Sequence, residues 1–155
     1  MRAVALGIAF VVAGTLVAGQ NDTASLNGYW KPESLQHDGK EQCPDAKSRE
    51  PLTLVVEKSE YRMYYMTDAK EGKALRLFVA DFRPESASRG FEMEVKDGQR
   101  KGLKVHGIYE VANGTLKVCY GPSDKPRPTK FEAPAGSGLF NETWKYMNPQ
   151  PKPVK

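Results

Sequence analysis

The stretch VHGIYEVANGTLKVCY, residues 105–120, decides the fold of this chain. Apolar or small residues alternate with polar ones on both sides of Asn113-Gly114, and this period of two is typical of strands with one buried face. The inward set is Val105, Gly107, Tyr109 and Val111 before the dipeptide and Leu116, Val118 and Tyr120 after it. Because Asn and Gly tolerate positive φ, Asn-Gly between two such runs is a strong signal for a two-residue hairpin. We therefore expect an antiparallel hairpin with Asn113-Gly114 at its tip.

The same alternation recurs in both directions from this hairpin. Upstream it appears at Leu52, Leu54 and Val56, at Tyr61, Met63 and Tyr65, at Leu75, Leu77 and Val79, and at Phe91, Met93 and Val95. A first strand is expected over residues 26–31, with a weak continuation beyond Pro32 to Leu35, and Phe140, Trp144 and Tyr146 mark a closing strand. About eight short strands joined by tight turns form a meander, and closing the meander removes its unpaired edges. The sequence predicts an all-β fold, a small antiparallel eight-stranded meander barrel over residues 20–147, with a two-sheet sandwich as the alternative.

The two ends of the chain have a different character. Met1-Arg2 is followed by an uncharged apolar run to Ala18, and the small residues Val17-Ala18-Gly19 precede a polar stretch. This is the pattern of a secretory signal peptide, and the run is shorter than the roughly 20 residues that span a bilayer. We predict a signal peptide over residues 1–19, export to the periplasm or the exterior, and no membrane span after cleavage. Residues 148–155 are rich in proline and are expected to form a flexible tail.

The chain has two cysteines, Cys43 and Cys119. In an oxidising compartment they could form a disulfide. The alternative is a pair of free thiols, and the sequence leaves both open because it does not give the distance between their Cα atoms.

Two groups of motifs resemble a known family. Leu26-Asn27-Gly28-Tyr29-Trp30 contains a Gly-x-Trp on the first strand, which resembles the lipocalin signature. From residue 107 onward, the motifs Gly107-Ile108-Tyr109-Glu110, Asn113-Gly114-Thr115-Leu116, Arg127-Pro128-Thr129 and Gly136-Ser137-Gly138 are similar to an exported lipocalin-like family abundant in planctomycetes. The resemblance implies a small β-barrel, and it implies no particular activity or ligand. It gives Gly28 and Trp30 structural roles; Asn113, Gly114 and Trp144 are also expected to be structural.

The chain offers little for catalysis. Its two histidines, His37 and His106, have no carboxylate at ligand spacing, and no H-E-x-x-H motif occurs. Gly136-Ser137-Gly138 lacks the G-x-S-x-G frame of a nucleophile elbow. We therefore expect no enzyme activity, no catalytic residues, no metal and no cofactor. The formal net charge of +4 is small and the basic residues are interspersed with acids, so nucleic acid is not an expected partner.

Two functions fit a barrel of this size. In the first, the interior holds a small apolar or amphipathic ligand and is lined by inward side chains, the candidates being Tyr61, Met63, Tyr65, Phe91, Met93 and Tyr109. In the second, the same residues fill the core, and the protein is an interaction or structural module that binds an envelope or extracellular protein. A void of a few hundred Å³ would favour the first, and a packed interior with an exposed apolar patch the second.

Overall fold

A computed structural model describes residues 26–68, 70–85 and 88–148 of the chain. The predicted signal peptide and nearly all of the predicted tail lie outside these residues. The described chain forms strands β1 (Gly28–His37), β2 (Lys40–Glu41), β3 (Leu52–Glu57), β4 (Glu60–Asp68), β5 (Lys73–Pro84), β6 (Gly90–Val95), β7 (Lys104–Ala112), β8 (Thr115–Pro122) and β9 (Phe140–Tyr146), and one short helix α1 (Ala46–Arg49).

The strands form one closed antiparallel sheet. From β3 to β9 each strand pairs with the next in sequence, and β1 joins the two ends by pairing with both β3 and β9. The two-residue strand β2 pairs antiparallel with the last two residues of β1 and forms a short hairpin with it. The eight long strands therefore make the predicted eight-stranded meander barrel, and the sandwich alternative is wrong.

The first strand is longer than the sequence suggested. It continues beyond Lys31 to His37, with a register shift against β9 between Pro32 and Ser34. Proline has no backbone N–H to donate to a ladder, and irregular pairing is where a strand tolerates it. Through its first residues β1 pairs with β3, and through the rest it pairs with β9, so it forms the seam of the barrel.

The predicted hairpin with Asn113-Gly114 at its tip joins β7 and β8. Asn113 and Gly114 both have positive φ, 51° and 68°, and Ala112 pairs with Thr115 across the turn. Two consecutive positive φ values are what a two-residue hairpin needs to match the twist of its strands.

The end of the barrel that holds the start of β1 is closed. Trp30 is 1% exposed, and its indole Nε1 donates a hydrogen bond to the carbonyl oxygen of Leu26 at 3.0 Å. The ring of Tyr146 on β9 meets it edge to face, with centroids 5.1 Å apart. Gly28 has φ of +142°, and a Cβ there would lie 2.6 Å from Cε2 of Tyr146, so glycine is needed at this contact. Trp144 is also fully buried, which places both tryptophans in the core.

Candidate functional site

The opposite end of the barrel contains a pocket of about 340 Å³. It lies where β1 ends and β9 begins, and most of its lining is apolar. The apolar walls come from Leu35, Met63, Phe78, Val95, Val105 and Phe140. The polar lining includes Glu142, Tyr120 and Arg100. The volume is at the small end of the range for pockets that hold a small molecule.

Glu142 is the unusual member of this lining because it is a carboxylate that is only 4% exposed. Its Oε2 accepts hydrogen bonds from the Tyr61 hydroxyl at 2.6 Å and from the Trp144 indole Nε1 at 2.9 Å. Its Oε1 accepts one hydrogen bond, from the Tyr120 hydroxyl at 2.7 Å. Burial raises the pKa of Glu142 because it penalises the charged form, and the three donors oppose that rise.

The local sequence explains how these groups meet. Phe140, Glu142 and Trp144 are two residues apart on β9 and share its inward face. Tyr120 lies on β8 next to them, where it pairs with Phe140, and Tyr61 reaches Glu142 from β4. Sequence reasoning missed Glu142. The signal was available, since an acid at period two between Phe140 and Trp144 occupies an inward position.

The mouth of the pocket has exposed apolar side chains. Leu77 on β5 and Leu103 before β7 both line the pocket, and they are 47% and 40% exposed. Nearby on β4 and β5, Tyr65 and Leu75 form a pair and are also exposed. Arg100 adds a cation at the mouth, and no acid among residues 26–68, 70–85 and 88–148 forms an ion pair with it. The mouth therefore combines apolar surface with one unpaired charge.

The candidate lining residues occupy three different environments. Only Met63 lines the pocket directly. Tyr61 is 1% exposed and lies behind Glu142, to which it donates. The prediction for Tyr65 is wrong, because it is 45% exposed. A register shift between β4 and β5 immediately after Met63 breaks the regular pairing, and Tyr65 lies beyond it, near the end of β4.

Of the two alternatives given for Phe91, Met93 and Tyr109, the structure shows the second, because these side chains belong to a filled core and do not line this pocket. They are 0%, 2% and 3% exposed. Phe82, which sequence analysis did not select, lies among them, with its ring centroid 4.8 Å from that of Phe91 and 5.8 Å from that of Tyr109. These large rings occupy the middle of the barrel, and the pocket described above lies at one end of it.

The two cysteines are free thiols. Cys119 is buried, and its Sγ donates to the carbonyl oxygen of Glu132 at 3.4 Å, in the long connection between β8 and β9. Cys43 is half-buried and packs against the core cluster. Burial raises the pKa of both thiols, which disfavours the reactive thiolate.

Both histidines and some of the basic side chains have structural partners. His106 Nε2 contacts the carbonyl oxygen of Lys125 at 2.7 Å, and His37 stacks on Phe140. Two basic residues form ion pairs with acids, Lys96 with Asp81 and Arg127 with Glu85. Within the described ranges, no three His, Cys, Asp or Glu side chains come together in a way that could hold a metal ion. Another pocket, of about 250 Å³, lies at β5, β6 and β7; four of its eight lining residues are charged, and Met93 and Val105 are also in its lining.

Comparison of the chain with protein-family models and with curated proteins finds no match. None of the helical structure in the described part of the chain is long and apolar enough to cross a membrane.

Proposed function

We propose that this protein is an exported, non-catalytic binding domain that holds a small amphipathic molecule in the open end of its barrel. Export is part of the proposal and rests on the sequence of residues 1–19. The resemblance to an exported lipocalin-like family agrees with it. Binding rests on the pocket between β1 and β9.

The pocket has the composition of a small-molecule site. Such sites are concave and mostly apolar, with a few polar groups that fix the orientation of the ligand. Here the walls are aliphatic and aromatic, and the polar group at the inner end is Glu142. A barrel of eight strands has room for side chains or for one small ligand. In this barrel large side chains fill the middle and a pocket lies at one end.

The observation that carries the proposal is the burial of Glu142 at the pocket. A buried carboxylate costs stability, and a filled apolar core would need none. Glu142 is nevertheless held by three donors from three strands, Tyr61, Tyr120 and Trp144. A polar group maintained at such a cost beside an apolar cavity is expected where a ligand must be oriented.

Binding of the neutral fluorescent probe N-phenyl-1-naphthylamine tests the proposal. The wild type should bind it saturably with one site. Met63→Trp puts an indole into the pocket and should weaken binding at least about tenfold, which corresponds to roughly 1.4 kcal/mol. Met66→Trp is the matched control on the same strand, because Met66 is not among the pocket-lining residues, and it should leave affinity within about twofold.

Circular dichroism of both variants checks that the barrel is intact. Saturable binding that Met63→Trp leaves unchanged would place the probe elsewhere and contradict the proposed site. No saturable binding to the wild type would contradict the proposal itself.

A second candidate function is docking of an envelope or extracellular protein, and the exposed apolar side chains at the mouth favour it. Leu75, Leu77 and Leu103 are 60%, 47% and 40% exposed, which is unusual for leucines on one edge of a small barrel. The two functions predict different effects of substitutions at the mouth. Leu75 does not line the pocket, so Leu75→Ser should affect partner docking and leave probe binding unchanged.

A further inference from the structure

We propose that the ligand carries a protonated amine, which enters the pocket first and pairs with Oε1 of Glu142. This inference rests on the proposed function and adds the chemical class of the ligand.

The two oxygens of Glu142 are not equivalent. Oε2 accepts from two donors, Tyr61 and Trp144, and neither of these residues lines the pocket. Oε1 accepts from Tyr120 alone, and Tyr120 does line the pocket. Each oxygen of a carboxylate can accept about two hydrogen bonds. Counted over the described residues, the one unused acceptor position is therefore on Oε1, the oxygen whose hydrogen-bond partner lines the pocket.

The three donors also determine what that position can receive. An indole N–H can only donate, and the two phenols donate at distances typical of bonds to a carboxylate. The carboxyl group therefore has only the free position on Oε1 for a further proton or donor. A ligand that offers a donor completes the hydrogen bonding of Glu142, and a ligand that offers only acceptors does not.

Glu142 has no cation to neutralise it. No ion pair within residues 26–68, 70–85 and 88–148 includes this carboxylate, and its three partners are formally neutral side chains. Arg100, the charged group at the mouth, is exposed and forms no ion pair with Glu142 within the described ranges, although its charge lowers the pKa of the Glu142 partner Tyr120 against the larger rise caused by burial. Buried charges in proteins are normally paired, because an unpaired one is costly. An ammonium group would supply both the missing charge and the missing donor.

The remainder of the pocket suits the hydrocarbon part of such a ligand. Above Glu142 the walls are formed by Leu35, Met63 and Phe140, and the mouth by Leu77 and Leu103. An apolar chain attached to the amine would extend along these side chains toward the opening. A carboxylate entering in the same direction would face Glu142 with like charge, which disfavours it.

The experiment compares octylamine, octanol and octanoate, three ligands with the same chain and different heads. Each displaces N-phenyl-1-naphthylamine from the wild type at pH 7. We expect octylamine to bind about tenfold more tightly than octanol, because both can donate a hydrogen bond to the carboxylate but only the ammonium also forms an ion pair with it, and octanoate to bind most weakly. Octyltrimethylammonium keeps the charge and lacks an N–H donor, so it should bind more weakly than octylamine.

Variants distinguish the contributions of the two charged groups of the pocket, Glu142 and Arg100. Glu142→Gln keeps the shape and an acceptor oxygen and should reduce the preference for octylamine over octanol to within about twofold. Arg100→Gln should leave that preference unchanged or increase it. If Glu142→Gln does not fold, the wild type still provides the test. Acidification that protonates Glu142 should weaken the binding of octylamine and leave the affinity for octanol unchanged.

The outcomes distinguish this inference from the proposed function. If the neutral probe and octanol bind but octylamine binds no more tightly than octanol, the amine assignment is wrong, and the proposed binding of small molecules in the pocket remains supported. If octanoate binds best and Arg100→Gln abolishes that preference, the head group lies at the mouth and the assignment is again wrong. If octylamine binds Met63→Trp as well as wild type, it binds the outer surface, which also overturns the inference. If none of the ligands binds, the proposed function fails.

Discussion

Two buried phenols differ in whether they have a hydrogen-bond partner, and this difference is measurable. Tyr120 donates to Glu142, whereas the hydroxyl of Tyr109 is buried with no partner among the described residues. Tyr120→Phe removes a hydrogen bond to a carboxylate and should lower the free energy of unfolding by about 1.5 to 3 kcal/mol. Tyr109→Phe removes an unsatisfied buried group, so it should be neutral or stabilising. Urea denaturation of the two variants checks this, and equal losses would contradict the hydrogen bonding described at Glu142.

The pH dependence of stability is a second test at Glu142. Because burial raises the pKa of Glu142 in the folded state, the folded protein binds more protons than the unfolded chain between the ordinary and the raised value. The free energy of unfolding should therefore fall as pH rises through that window, and the loss should persist at higher pH. Glu142→Gln lacks this contribution.

We expect the stability of the wild type relative to Glu142→Gln to decrease as pH increases from 4 to 8, measured by urea denaturation of both proteins. The contributions of the other ionisable groups are common to both proteins and cancel in the difference. A difference that stays constant or grows with pH would show that the pKa of Glu142 is not raised.

At the scale of elements, the first and last strands of the barrel contact each other at Gly28, which lies against the ring of Tyr146. Gly28 and Gly114 both have positive φ, but a Cβ at Gly28 would lie 2.6 Å from the Tyr146 ring, whereas at Gly114 the nearest contact is 3.9 Å. Gly114→Ala should cost about 1 to 2 kcal/mol, the penalty for a left-handed backbone. Gly28→Ala should cost at least about 1 kcal/mol more, because it also displaces the Tyr146 ring from Trp30. Thermal or urea denaturation compares them, and equal costs would mean that the ring moves away freely.

The strands were predictable for a simple reason. Residues such as Val105, Tyr109 and Val118 alternate with polar neighbours, and a barrel with one buried face requires that period. Tyr65 shows where this reasoning stops, because its phase on β4 is correct and yet it is exposed. The shift between β4 and β5 depends on how two strands pair, which the sequence of either strand alone does not contain.

At the scale of the whole molecule, the predicted export has a direct test. Expression of the full chain in a secreting bacterial host should release a protein whose intact mass corresponds to a first residue of Gln20, or one within two residues of it. Val12→Arg places a charge in the apolar run and should leave the chain uncleaved inside the cell. Recovery of uncleaved wild type outside the cytoplasm would contradict the assignment.

The division of the interior could not be read from the sequence. Phe91, Met93 and Met63 all face inward on alternating strands, yet the first two are in the filled core and the third lines the pocket. What decides between these fates is the depth of each residue along the barrel and the size of the rings opposite, such as Phe82. Those are properties of the assembled barrel. Glu142 is different, because a charged residue on an inward face is a signal that the sequence contains, although our sequence analysis did not select it.

The seam between β1 and β9 also determines how the barrel would be presented when attached to something else. Trp30 pairs with Tyr146 at the closed end, while His37 pairs with Phe140 at the pocket end. The polypeptide therefore enters and leaves the barrel side by side, on the side away from the opening. A tether, fusion partner or surface support joined at either of these points would leave the opening directed outward. Immobilisation at the start of β1 or the end of β9 should therefore leave the pocket accessible to ligands.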